Sequence, residues 1–115
     1  MRNEPPRNGL IAHSVALEAA GMALALVQGV PAPLKPLADQ VIRAASSVPA
    51  NLAEGQGRTG RDRVHSYRIA YASAREVDTH LRLLANAGVI DPHQSEIACH
   101  LFDRVRAMTW KLVHP

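Results

Sequence analysis

The sequence from Ser47 to Arg58 reads SVPANLAEGQGR, and it is the most distinctive stretch of the chain. Val48 and Leu52 continue the apolar stripe of the residues before them at helical spacing, so the stretch predicts the end of a helix. Pro49 lies inside that helix, where it removes one hydrogen bond and crowds the carbonyl one turn earlier. The helix therefore kinks or splits at Pro49, and a kink is favoured because neighbouring serine hydroxyls can bond the backbone.

Apolar residues recur every three or four positions on both sides of this stretch, whereas strand-like alternation of useful length is missing from the sequence. Alanine and leucine, which favour helices, dominate the apolar residues. Four helices are predicted: Leu10 to Gln28, about Leu34 to Gln56, Thr59 to about Ala87, and Asp91 to the C-terminus. On the first of them Ile11, Val15, Met22 and Leu26 share the predicted core face.

The ends of these helices carry recognisable signals. Thr59 followed by Asp62 resembles a variant capping box at the start of the third helix. Asp91 is a clearer cap, because Pro92 follows at the first helical position and Gln94 can complete a reciprocal box. Short loops join the four helices. The predicted fold is therefore all-α, an antiparallel up-down-up-down four-helix bundle in one domain over residues 1–115, with residues 1–9 as a flexible arm.

Composition restricts the location and the partners. The chain of 115 residues has a net charge of +3, which is mildly basic. Its single cysteine, Cys99, forms no internal disulfide, and the sequence shows no secretory signal and no comfortable membrane span. We therefore expect a cytoplasmic protein without a membrane partner. Arginines are concentrated from Arg58 to Arg68, which indicates a solvated helix face or a surface for an anionic partner.

The residue patterns that usually carry chemistry are weak. Glu76 with His80, and Glu96 with His100, stand four residues apart, whereas di-metal bundles use a Glu-x-x-His step with further carboxylates. Exposed polar pairs explain both spacings. Cys99 adjoins His100, but on a helix the two side chains diverge, and a lone helical cysteine is typically a small buried apolar residue. We expect no enzyme, no catalytic residue, no metal or other cofactor and no small-molecule substrate.

The polar residues of the 47–58 stretch have two possible roles. Pro49 frees backbone groups that Asn51 could bond, and Glu54 lies within one turn of Arg58. Ser47 and Gly55 complete the set of candidate residues. They either shape the kinked end of the second helix or contact a partner, and the sequence alone leaves both open.

The same stretch resembles the signature of the bacterial four-helix bundle proteins that are encoded in intervening sequences of 23S ribosomal RNA genes. The similarity lies in SVPANLAEG at 47–55, in the Gly-Arg that follows, and in YRIA at 67–70 and EVDTHL at 76–81. Many members carry an acidic-aromatic pair where this chain has Arg63-Val64. The resemblance implies a homopentameric bundle. It also implies a distant relation to accessory proteins of diversity-generating retroelements, which bind a reverse transcriptase and nucleic acid.

Together these features suggest a non-catalytic homo-oligomeric adaptor that binds RNA or a ribonucleoprotein through a basic surface. Arg58, Arg61, Arg63 and Arg68 would contact phosphates, because the guanidinium fork matches phosphate geometry. The low aromatic content argues against recognition of single strands by base stacking. The alternative is a structural or protein-binding oligomeric scaffold without a nucleic-acid role.

Overall fold

The computed structural model describes residues 7–115, with side chains from residue 9 onward, and this part of the chain folds into four α-helices. The helices are α1 (Arg7–Leu26), α2 (Lys35–Gln56), α3 (Gly60–Asn86) and α4 (Pro92–Val113), and a 3-10 turn over Ala32–Leu34 leads into α2. Helices α1 and α3 each pack against both α2 and α4. Every helix therefore contacts its two neighbours around the bundle, and the predicted all-α four-helix bundle is confirmed.

The first helix starts earlier than predicted. It begins at Arg7 instead of Leu10 and ends at Leu26 instead of Gln28. Residues 7–9 of the predicted arm are thus helical, and Gly9 is buried in the bundle. The rest of the predicted arm, residues 1–6, lies outside the described residues.

Helix α2 runs without interruption through Pro49, so the helix does not split there. The Ser46 hydroxyl donates to the carbonyl oxygen of Ile42 at 2.7 Å, and Asn51 donates its side-chain amide to the carbonyl oxygen of Ser47 at 2.9 Å. Pro49 itself is buried. Side chains on either side of the proline thus donate to backbone carbonyls of the turns that precede it.

The two predicted caps have different outcomes. The Asp91 carboxylate accepts a hydrogen bond from the backbone N–H of Gln94 at 2.8 Å, which confirms this cap. Thr59 is the residue before α3, as predicted, but its side chain makes no capping hydrogen bond. The capping box of Thr59 and Asp62 is therefore wrong. Gly60 has a left-handed φ of +59°, so the chain turns sharply between Thr59 and α3. The hydroxyl of Thr59 therefore does not accept from the free N–H groups of the first turn.

The core is asymmetric in the size of its side chains. Helices α2, α3 and α4 bury large residues, among them Leu52, Tyr67 and Phe102. Helix α1 instead buries mainly alanines; Ala12, Ala16, Ala19 and Ala23 are completely inaccessible. Val15 is also buried, and Met22 and Leu26 pack against the core, whereas Leu10, Ile11 and Leu17 lie on the outside of the helix.

Candidate nucleic-acid interface

The serine and asparagine of the 47–58 stretch connect α2 to α3. Asn51 donates to both the carbonyl oxygen and the hydroxyl oxygen of Ser47, each at 2.9 Å. The hydroxyl of Ser73 on α3 donates to the hydroxyl oxygen of Ser47 at 2.9 Å. These half-buried bonds hold the two helices in register, so Ser47 and Asn51 have a structural role.

Gly55 is the point at which α2 and α3 approach most tightly in this region. A Cβ atom at Gly55 would lie 2.7 Å from Cδ1 of Tyr67, closer than real Cβ atoms come to a neighbour. The Arg63 guanidinium donates through Nε to the carbonyl oxygen of Gly55 at 3.0 Å. Burial raises the pKa of Tyr67, and the nearby charge of Arg63 partly opposes the rise. Gly55 and Arg63 thus serve the junction of the helices.

The four predicted arginines differ in what their side chains contact. Arg58 pairs with Glu54, with Nε 3.1 Å from Oε1, and this hydrogen bond raises the pKa of Arg58 above its ordinary value. Arg63 is turned toward Gly55, as described above. Arg61 and Arg68 are exposed, and neither pairs with a carboxylate among the side chains that the structure describes. Two of the four arginines are therefore engaged within the protein.

Arg75, which was not among the predicted residues, is a third exposed arginine of α3 besides Arg61 and Arg68. Arg75 is exposed and forms no ion pair within residues 9–115. It follows Arg68 by seven residues, just as Arg68 follows Arg61, and seven residues return a helix to nearly the same side after about 10 Å. We call Arg61, Arg68 and Arg75 the arginine row. The seven-residue spacing is visible in the sequence and could have identified it.

An aromatic recess adjoins the arginine row at Arg68. It is lined by Arg68, Tyr71, Trp110, Val113 and His114 and has a volume of about 290 Å³. Trp110 is 53% exposed, and its ring lies 6.2 Å from that of Tyr71 at a tilt of 50°. We call this recess the aromatic groove. The sequence analysis missed it because its residues come from two helices.

The residues considered for catalysis or metal binding form contacts within single helices or are buried in the core. A carboxylate oxygen of Glu76 lies 3.5 Å from Nε2 of His80, and one of Glu96 lies 3.8 Å from Nε2 of His100, each pair within a single helix. Within residues 9–115 no three histidine, cysteine or acidic side chains converge on one point. Burial and the neighbouring Asp78 raise the pKa of Cys99 to about 12, which keeps the thiol protonated near neutral pH.

The outer side of α1 is apolar. Leu10, Ile11 and Leu17 are 58%, 47% and 54% exposed, although Ile11 was predicted to face the core. Residues Gly9–Leu26 have a mean hydropathy of 1.6, and only 39% of them are buried. By length and composition this segment could cross a membrane, but core helices of soluble proteins pass the same test. In the structure α1 packs against α2 and α4 as one helix of the bundle.

A shallow groove continues this apolar side onto α2. Its walls are His13, Leu17, Ala20, Gly21 and Leu24 from α1, and Ser46, Pro49, Ala50 and Ala53 from α2. We call it the α1–α2 groove. Its lining contains no lysine, arginine, aspartate or glutamate, in contrast to the arginine row.

The model of the 23S rRNA-intervening sequence protein family matches residues 15–111. Among solved structures, the chain resembles a protein of unknown function from the S23 ribosomal protein family of Bacteroides thetaiotaomicron. The TM-score is 0.84 at 21% identity, over 94% of this chain and 99% of that one, so this likeness bears on the fold alone. No curated protein matches the chain. The family match spans most of the bundle, and the chain belongs to the 23S rRNA-intervening sequence protein family.

Proposed function

We propose that this protein is a non-catalytic, homo-oligomeric adaptor of the cytoplasm that binds RNA or a ribonucleoprotein through the arginine row. The family's description ties it to 23S ribosomal RNA, which suggests a role related to that RNA. The single observation that carries the proposal is the arginine row itself. Three exposed arginines on one side of α3 have no carboxylate partner in the described part of the chain.

The spacing of the row suits a phosphate backbone. Arg61 and Arg75 stand about 21 Å apart along the axis of α3, with Arg68 midway between them. Each guanidinium can bond a phosphate with two parallel N–H donors. Contacts of this kind carry little sequence information, and each releases counterions from the RNA. Binding through the row should therefore be tolerant of sequence and should weaken steeply with salt.

Self-association is supported by the apolar side of α1. Large apolar side chains are normally buried, yet α1 exposes Leu10 and Leu17 by more than half. A second copy of the chain that covers this side and the α1–α2 groove would remove that surface from water. Because this apolar side is a different part of the molecule from the arginine row, both could be used at once. The resemblance noted in the sequence suggests five copies in a ring.

Charge reversal tests the role of the row. The double variant R61E/R68E should lose most of its affinity for RNA at moderate salt, because two phosphate contacts become repulsive. The control R43E/R104E makes the same change in net charge at exposed arginines of α2 and α4, and it should bind nearly as well as the wild type. Binding would be measured by fluorescence anisotropy of labelled RNA from 50 to 300 mM salt. Equal losses in the two variants would contradict the proposal.

The second candidate function, a protein-binding scaffold, is favoured by the α1–α2 groove. Light scattering with separate signals for protein and nucleic-acid mass distinguishes the scaffold from the RNA adaptor. The measurement uses protein that was purified without nuclease. An oligomer that carries nucleic acid, released at high salt, supports the RNA adaptor. An oligomer that carries no nucleic acid and binds no added RNA at low salt favours the scaffold.

A further inference from the structure

We propose that the aromatic groove binds one unpaired base of the RNA strand whose phosphates contact the arginine row. This inference rests on the proposed function and makes it more specific: the ligand is RNA with at least one unpaired nucleotide, not a fully paired duplex. It departs from the expectation that few aromatic residues mean no base stacking. Their number is small, but the fold gathers Tyr71 and Trp110 at one place on the surface.

The indole of Trp110 packs against the imidazole of His114 at the C-terminal end of α4. His114 stacks on it with ring centroids 3.7 Å apart and an interplanar angle of 27°. The Nδ1 atom of His114 also lies 3.1 Å from the carbonyl oxygen of Trp110. The indole thus contacts His114 and lies near Tyr71, while 53% of the residue stays exposed. A neighbouring ring restricts the indole in the free protein, and such restriction lowers the entropy cost of stacking a base on it.

The groove has the size and chemistry for a single planar base. Its volume of about 290 Å³ is at the small end of sites for organic ligands, which run from roughly 300 to 1,000 Å³. Its lining is mostly apolar, with Tyr71, Trp110 and Val113 forming the walls. The guanidinium of Arg68 is the charged group at its edge, where it can meet a phosphate or stack on a base.

The position of Arg68 argues for a nucleic acid as the occupant. This arginine belongs to the arginine row and also lines the aromatic groove, so a strand that follows the row passes the groove. A purely apolar partner would instead favour the α1–α2 groove, which contains more apolar surface and no arginine. Charge complementarity thus assigns the aromatic groove to an anionic, aromatic ligand, and an unpaired nucleotide has both properties.

The fluorescence of Trp110 gives a direct test, because the chain contains only one tryptophan. A single-stranded RNA that contains purines should quench this fluorescence as it saturates the wild-type protein, since a stacked base quenches indole emission. A blunt-ended RNA duplex of the same length should bind the arginine row and leave the emission nearly unchanged. Equal quenching by both RNAs, or binding of single strands without quenching, would overturn the inference.

Variants give the second readout. Trp110→Ala should weaken binding of single-stranded RNA roughly ten- to a hundredfold, the stacking contribution of one base, and should leave duplex binding within about twofold. Trp110→Phe should retain most of the affinity because it keeps a ring. The salt dependence should stay the same in both, since no phosphate contact is lost. Leu83→Ala is the control: it truncates an apolar residue of similar exposure, 50%, that lies on α3 and does not line the groove.

The outcomes separate this inference from the proposed function. If R61E/R68E abolishes binding while Trp110→Ala binds single strands as tightly as the wild type, the row binds RNA and the groove does not. If neither RNA binds the wild type at low salt, the proposed function fails and the inference fails with it. If Trp110→Ala changes the mass of the assembly, Trp110 is a contact between subunits and the inference is overturned.

Discussion

Gly55 shows at the scale of one residue why the 47–58 stretch is so particular. The ring of Tyr67 occupies the space in which any other residue at position 55 would place its Cβ, and Arg63 bonds the Gly55 carbonyl oxygen from the next helix. Gly57, only two residues away, has open space: its Cβ would meet nothing closer than 3.7 Å. The need for glycine is therefore specific to position 55 and comes from packing.

Gly55→Ala should lower the free energy of unfolding by about 1–3 kcal/mol, because the added methyl group displaces a buried tyrosine ring. Urea denaturation followed by circular dichroism would measure the change. Gly57→Ala is the matched control, expected to be neutral or stabilising by up to about 1 kcal/mol, since its φ of −89° suits alanine. Equal effects of the two substitutions would contradict this account of Gly55.

The roles of individual side chains were the hardest features to predict from the sequence. The pairing of Glu54 with Arg58 follows from their spacing along one helix, and the structure contains that pair. The use of Arg63 within the protein depends on a bond between two helices, and sequence spacing carries no information about such contacts. For the same reason Arg63 was grouped with Arg61 and Arg68, although only the latter two remain exposed and unpaired among the described side chains.

At the scale of the helices, the sequence predicted most of the architecture. The ends of α2, α3 and α4 agree with prediction to within one or two residues. The agreement is close because prolines, glycines and the capping residue Asp91 are typical of helix ends. The orientation of α1 was not predictable in the same way. Apolar residues lie on several of its sides, so periodicity could not show that its alanines are buried and that Ile11 is 47% exposed.

The two helix starts provide a paired test of capping. Asp91→Ala removes the hydrogen bond to the N–H of Gln94 and should cost about 1 kcal/mol of stability. Thr59→Ala removes no capping bond and should cost only a few tenths of a kcal/mol. Both values would come from urea denaturation at pH 7. A larger loss in Thr59→Ala than in Asp91→Ala would mean that Thr59 does cap α3.

At the scale of the whole molecule, the exposed side of α1 governs the expected assembly. Leu17→Glu should convert the oligomer to monomers, because a carboxylate would have to be buried between subunits at a cost of several kcal/mol. The monomer should remain helical, since Leu17 is 54% exposed in the single bundle. Light scattering after size-exclusion chromatography measures the mass, and circular dichroism measures the helix content.

Leu83→Glu serves as the control for assembly. It places the same charge on α3 at a residue of similar exposure, 50%, and should leave the mass of the oligomer unchanged. Dissociation by Leu83→Glu and not by Leu17→Glu would move the subunit interface from α1 to α3. A wild-type monomer would contradict self-association altogether.

The arginine row lies along the outside of α3 and not in a closed cleft, and this position has a kinetic consequence. Charges on an open surface attract a polyanion from a distance, so the row should set how fast RNA arrives, and salt should slow that step. The aromatic groove acts only at contact distance, so a base held there should set how long the RNA stays. Such a protein would capture RNA readily wherever it is dense in the cell, and would dwell only where a strand offers an unpaired base.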